Sequence, residues 1–324
     1  MRVRSLVLLS MICLAMASFA LASDDRAAVA QNRGPDNPAN ETITAAKSAI
    51  DHAITTLMAN QPVTHAAEGD VMTSTTEVET APNAWFTKPV PFAEFGFADT
   101  RDRRTNGMDG EAYSGNVGVD FLTYNSLAAG AALGYTRYHG HNSGINDNLD
   151  GYTGTLYLAG MVDPLYVGAS VTKGYSWSDV TGDFDADEDS WTLAPFVGVS
   201  PYNCGRVSSY SALSYIARWQ QFNYNRGITG DDANDGQFVL MNQVSYAVSE
   251  RLTLKGILDI NQVVTSRPTA APTNGSIDHS WVTVGTKMSY AFDMNKEIYA
   301  GFSTQVWNRN YENYQYIAGL AVAI

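Results

Sequence analysis

The chain has 324 residues, 33 of them acidic against 20 basic, giving a formal net charge of −13. That balance argues against nucleic-acid binding, which needs clustered Lys and Arg. Cys13 lies in the N-terminal segment read below as a removed signal, leaving Cys204 alone, so an internal disulfide framework is equally excluded. Charged residues make up only 16% of the chain while mean hydropathy is −0.17, a combination odd for a soluble protein and for a helical membrane protein alike.

In chain order, Arg2 and Arg4 form a positive start and Leu6 to Phe19 an apolar run of signal-peptide length. Ala20-Leu21-Ala22 supplies the small-x-small pattern of a cleavage site, so residues 1–22 are expected to be a signal peptide removed before Ser23. The run is too short for a spanning helix, which needs ~20 apolar residues. Bulky Met11 and Ile12 argue against a lipid anchor at Cys13.

Residues 23–84 read as a leader containing one helix and a linker. A polar stretch over 23–40 is followed by Ile43, Ala46, Ile50, Ala53, Ile54, Leu57 and Met58 at helical spacing. Lys47, Asp51 and His52 fall elsewhere on the wheel. Asn40 caps and Pro62 stops, which predicts a helix over 41–60. Its Ala-rich stripe suits a partly polar surface better than a dense core. Residues 63–84 carry no pattern and are read as linker, with a short passenger epitope as the alternative.

Beyond Ala84 the period changes from 3.6 to two. Val117, Val119 and Phe121 alternate with Asn116, Gly118 and Asp120, and Leu165, Val167, Ala169 and Val171 oppose Tyr166, Gly168, Ser170 and Thr172. Leu252, Leu254, Leu258 and Ile260 likewise oppose Thr253, Lys255, Asp259 and Asn261, while Val284, Met288 and Tyr290 oppose Gly285, Lys287 and Ser289. Each set has one hydrocarbon-compatible face and one small or polar face. Twelve strands are expected, near 85–98, 111–122, 127–140, 151–162, 165–177, 189–200, 206–222, 237–248, 252–265, 279–292, 297–308 and 312–324. Short connections near Tyr124, Pro164, Gly205, Glu250 and Met294 alternate with long polar ones, including His139 to Asp150 and Ser178 to Asp189. Strands of bilayer-crossing length with this loop asymmetry predict an all-β, closed antiparallel transmembrane barrel over 85–324, in a cell outer membrane. Soluble sandwiches alternate too, but with shorter strands. Trp177, Trp191, Trp281, Trp307, Tyr124 and Tyr202 are expected at the headgroups.

Residues 84–324 resemble the translocator domain of bacterial autotransporters. The likeness is carried by Trp85 with Phe92-Ala93-Glu94-Phe95-Gly96, by Ser114 to Asp120, by Ala129 to Thr136 and by Leu193 to Ser200. The terminal Gly319-Leu320-Ala321-Val322-Ala323-Ile324 is similar to the family's signal for the barrel-assembly machinery, with Tyr316 on the same face. The resemblance implies a twelve-strand barrel with a helix in the lumen, the role open to Ile43, Ile50, Ile54 and Leu57. The family usually ends in Phe or Trp rather than Ile, and residues 23–40 are too few for a stacked β-helical passenger. A translocator or structural surface protein without a sizeable passenger is the expected function, and a small outer-membrane pore is the alternative.

Candidate chemistry is sparse. His141-x-Ser143 has the spacing of a shared strand face, so the imidazole could activate the hydroxyl for lipid hydrolysis, yet Gly144 follows where an orienting residue would help. No enzyme activity is expected. Asp183, Asp185, Asp187 and Asp189 with Glu188 concentrate carboxylates, but the order is not that of a calcium loop, and a solvated acidic segment is the preferred reading. Lys255, Asp259 and Lys287 are placed on the lumen side. No cofactor is expected, the partners are outer-membrane lipids, lipopolysaccharide and the assembly machinery, and the chain is expected to be a monomer.

Overall fold

The computed structural model describes residues 41–59, 89–103, 109–123, 127–142, 145–162, 164–180, 184–224, 232–267, 280–293, 296–308 and 311–322. The signal segment 1–22, the leader 23–40, the linker 63–84, Tyr124, Ser143, Asp183 and Ile324 lie outside them.

Helix α1 (Glu41–Ala59) precedes twelve strands: β1 (Val90–Asp102), β2 (Asp109–Thr123), β3 (Leu127–Asn142), β4 (Ile145–Val162), β5 (Leu165–Val180), β6 (Phe184–Cys204), β7 (Val207–Tyr224), β8 (Asp232–Ala247), β9 (Leu252–Arg267), β10 (Ser280–Asp293), β11 (Lys296–Val306) and β12 (Tyr311–Val322). Every strand pairs antiparallel with its sequence neighbours, and β1 pairs with β12 from Phe92↔Ala321 to Asp102↔Tyr311, so the sheet closes into a barrel. Closure leaves no sheet edge unpaired, the condition for a strand to stand in hydrocarbon. The tight β6–β7 connection is made at Gly205, whose φ of 60° suits a residue without a Cβ.

The period-two reading locates the strands, but their limits differ. β4 begins at Ile145 rather than 151, β6 at Phe184 rather than 189, and β8 at Asp232 rather than 237. Asn142↔Ile145 and Val180↔Phe184 are register pairs, so the expected long loops at 139–150 and 178–189 are strand hairpins with short connections. A ladder of backbone hydrogen bonds is indifferent to side-chain polarity, and a barrel wall above a bilayer can be polar on both faces. Polar composition there was misread as loop. At the other end β1 starts at Val90, not 85, and α1 ends at Ala59.

The outer surface is apolar across its middle. Leu133, Leu156 and Leu158 are 67%, 66% and 58% exposed, and Val167, Val171, Leu193 and Val197 face the same way. An aromatic arc borders this band toward the far end, away from Val90 and Val322. Phe302, Tyr316, Phe97 and Tyr113 follow one another across four strands, then Tyr135, Tyr152 and Tyr175 across three, and Trp191 meets Trp219. Tyr202, Tyr246, Tyr290 and Phe292 are exposed near the opposite rim. From Tyr152 to Val162 on β4, ten steps of ~3.3 Å at a tilt of ~40° rise about 25 Å, the height of a lipid-facing barrel band. Trp281 is an exception to the expected anchoring: it shares the lumen register with Lys287 and is buried.

From the arc outward the outer face turns polar and its charges pair locally. Lys173 meets Asp189 and lies 4.8 Å from the Trp191 ring. Arg103 meets Glu312, and Arg137 approaches Asp150 at 3.9 Å. Inside, at the same end, Arg218 and Asp235 form a buried ion pair and Gln220 Nε2 donates to Glu188 at 2.6 Å. Replacing Arg218 with Leu leaves the Asp235 carboxylate without its guanidinium and is expected to cost about 3–5 kcal/mol, measured as a lowered urea midpoint of the folded barrel.

Candidate functional site: the helix-filled lumen

α1 forms because its sequence is rich in Ala and lacks Gly and Pro. Helices in proteins draw most of their stability from packing of an apolar face, so the barrel supplies most of that of this 19-residue helix. Ile43, Ala46, Ala49, Ile50, Ala53, Ile54 and Leu57 are all buried on one stripe. They pack against an apolar patch of the inner wall made by Ala128, Tyr157, Ala159, Tyr166, Ala194, Phe196, Tyr210, Ala212, Ile216, Val239 and Met241. Burying an Ile or Leu side chain contributes about 1.5–3 kcal/mol, so the four large residues alone hold the helix firmly. The Ala-rich stripe therefore meets a dense apolar core, not the partly polar surface expected of it. The small side chains serve close approach, and the Ser170 hydroxyl donates to the Ala46 carbonyl at 3.5 Å.

Sequence reasoning missed this inner patch because it assigned the apolar set to lipid and the small or polar set to the lumen. The signal was present. Leu193-Ala194-Pro195-Phe196-Val197 and Phe238-Val239-Leu240-Met241 do not alternate at all, as expected where both faces of a strand are covered.

The opposite face of α1 is polar and reaches other strands. Lys47 Nζ donates to Asn261 Oδ1 at 2.6 Å on β9, and Asp51 accepts from the Tyr210 hydroxyl on β7. His52 Nδ1 lies 3.4 Å from Asp120 Oδ2 on β2, with its ring stacked on Phe92 of β1 at 4.0 Å between centroids. Beside this face Tyr299 donates to Glu94 at 2.8 Å, and the Lys287 ammonium sits 3.6 Å from the Tyr299 ring centre. A small cavity between α1 and β1–β4 is lined by Ser48, His52, Phe92, Asn116 and Tyr157.

The sequence-predicted residues fall as follows. Ile43, Ile50, Ile54 and Leu57 are in the lumen core. Lys255 and Lys287 stand on one rung of β9–β10, with Asp259 four residues along β9 on the same inner face. Asp259 is within electrostatic reach of Lys47, and Asp51 of both lysines. Tyr316 and Leu320 face outward on β12, Gly319 faces inward beneath the Tyr299 ring, and Val322 ends the strand. His141 is an exposed residue at the end of β3, opposite Asp109 and Asn146. Asp185, Asp187 and Asp189 take alternate positions on β6, opposite Asp179, Trp177 and Tyr175. Among the described residues, no group of three His, Cys, Asp or Glu side chains is arranged to hold a metal ion.

What the arrangement can do is occlude. A helix is about 10–12 Å across with its side chains, and this one is fixed to the wall by an apolar face and tethered across the lumen by polar contacts.

No family model matches the chain, and no curated protein matches it in sequence. Solved structures do match. The translocator domain of the autotransporter NalP from Neisseria meningitidis is 15% identical, with a TM-score of 0.61 over 73% of this chain and 89% of that one. The beta domain of the Bordetella autotransporter BrkA is 15% identical at 0.55, covering 74% of this chain and 100% of that one. The transport unit of the autotransporter AIDA-I from Escherichia coli is 10% identical at 0.52, covering 89% and 99%. At these identities the likeness concerns the backbone alone: this chain has the fold of autotransporter translocator domains.

Proposed function

We propose that the protein is an integral outer-membrane barrel of autotransporter type, a translocator or structural surface protein whose lumen is occupied by its own helix. The observation that carries this reading is the joint presence of an apolar outer band of bilayer height and an apolar inner patch matched to α1. A soluble barrel has no use for the first, and a plain water-filled pore has no use for the second.

In this reading residues 1–22 direct export and are cleaved, and residues 23–40 lead into the helix. Tyr316, Gly319, Leu320, Val322 and Ile324 form the signal read by the barrel-assembly machinery. Lipopolysaccharide and outer-leaflet lipids surround the wall, the protein acts as a monomer, and it carries out no catalysis. The test is fractionation with gel migration. The mature chain is expected in the outer-membrane fraction and to run anomalously until boiled, with its N terminus at Ser23. Recovery in the soluble fraction, with migration unaffected by heating, refutes the reading.

A further inference from the structure

The apolar contact between α1 and the wall does not by itself fix how deep the helix sits. Ala46, Ala49 and Ala53 recur about once per turn along the buried stripe, as do Ile43, Ile50, Ile54 and Leu57. A slip by one turn, ~5.4 Å, would present much the same small and apolar surface to Tyr157, Phe196 and Ile216. Hydrophobic burial is non-directional and discriminates poorly between such registers.

The polar side is not repetitive. Lys47 and Asp51 stand one turn apart on α1. On the wall, Asn261 and Asp259 lie toward the far end, whereas Lys255 and Lys287 lie toward the end where β1 starts. Lys47 is bonded to Asn261 and faces Asp259. Asp51 accepts from Tyr210 and lies within electrostatic reach of Lys287, Lys255 and the like-charged Asp259. Each lysine also has a partner on the wall: Lys287 lies over the Tyr299 ring, and Lys255 is within electrostatic reach of Glu297. Like charges directly opposite on neighbouring strands repel, and these two occupy the same rung inside the lumen. Asp51 on α1 lies within electrostatic reach of both and eases that repulsion.

We propose that Asp51, set against the Lys255–Lys287 rung, and Lys47, set against Asp259 and Asn261, are positioning residues that fix the depth of the helix in the barrel. In the native register Lys47 has Asp259 within reach and Asp51 has both lysines, against one like-charge interaction between Asp51 and Asp259. After a slip of one turn toward the β1 start, Lys47 arrives where Asp51 was and confronts two lysines, so that register is rejected by repulsion as well as by lost contacts. The inference rests on the reading of α1 as the occupant of the lumen. It adds that the charges, rather than the apolar face, choose one height.

Single-channel recording of the full mature chain in planar bilayers tests this, scored as the fraction of time the barrel conducts. Asp51→Lys is expected to raise that fraction by about tenfold or more, since like-charge contacts in a confined interface are strongly disfavoured. The wall double variant Lys255→Asp with Lys287→Asp is expected to do the same. Combining all three changes restores opposite charges and should return the fraction to within about twofold of the native chain. A purely structural role would leave the combined variant at least as leaky as its parents, and that result overturns the proposal, as do silent single variants. Should Asp51→Lys not assemble, Asp51→Asn keeps the shape, removes the charge and must still raise the conducting fraction. Deletion of 41–59 serves as the control. If it changes nothing, the lumen-plug reading itself has failed; if it opens the barrel while the charge variants are silent, only the depth mechanism has.

Discussion

Deleting residues 41–59 is expected to raise the conductance of the reconstituted barrel severalfold and to lower its stability at the same time. The two effects share a cause. α1 occupies the lumen against the inner faces of β2–β7, so its removal opens a water path. It also strips the cover from Tyr157, Tyr166, Phe196 and Ile216, which share one buried core with it. Exposing such side chains costs about 25 cal/mol for each Å² returned to water, so the urea midpoint should fall together with the rise in current. A constitutive pore with the helix outside would behave oppositely, with conductance and midpoint both unaffected. Recording and unfolding the same purified deletion variant separates these outcomes. Supplying the 41–59 peptide in trans should lower the current again, because the apolar stripe of α1 finds its own patch.

Leu156→Arg is expected to cost about 2–4 kcal/mol, the penalty for a cation near the midplane of the lipid face. Leu156 is 66% exposed and lies midway between Tyr152 and Val162 on β4, so neighbouring side chains cannot cover the guanidinium. Gln315→Lys is the matched contrast. Gln315 faces inward on β12, where it is half-buried and accepts from Ser303 at 3.3 Å, and a lysine there can keep its ammonium in lumen water. Its effect is expected to stay within about 0.5 kcal/mol. Equilibrium unfolding in lipid vesicles reads both. Equal penalties for the two variants would mean that the outer face is not in hydrocarbon.

The sequence carried the topology further than it carried the site. Strict alternation, as from Leu165 to Thr172, is a direct consequence of standing between lipid and lumen, so strand number and facing were legible. Strand ends were not. Asn146, Asp147, Asn148 and Asp150 continue the β3–β4 ladder beyond the aromatic arc, and nothing in their polarity separates a paired strand in water from a loop. The lumen was half legible. The helix and its apolar stripe follow from spacing, and so does the inward register of Lys255, Asp259 and Lys287. The partners of Lys47, Asp51 and His52 do not, because contacts such as Lys47 to Asn261 join positions 214 residues apart. The depth at which a helix meets a wall is a property of packing in three dimensions.

The whole account depends on hydrocarbon lying against the middle of the outer wall. Spin labels placed one at a time from position 153 to 161 on β4, in a Cys204→Ser background, test this by collision with oxygen, which concentrates in lipid, and with a water-soluble nickel chelate. The account predicts a period of two. Labels at Gly154, Leu156, Leu158 and Gly160 should meet oxygen freely and the chelate hardly at all, while those at Thr155, Tyr157 and Ala159 should be shielded from oxygen. Uniform accessibility along the strand, or chelate collisions at Leu156 and Leu158, would contradict it.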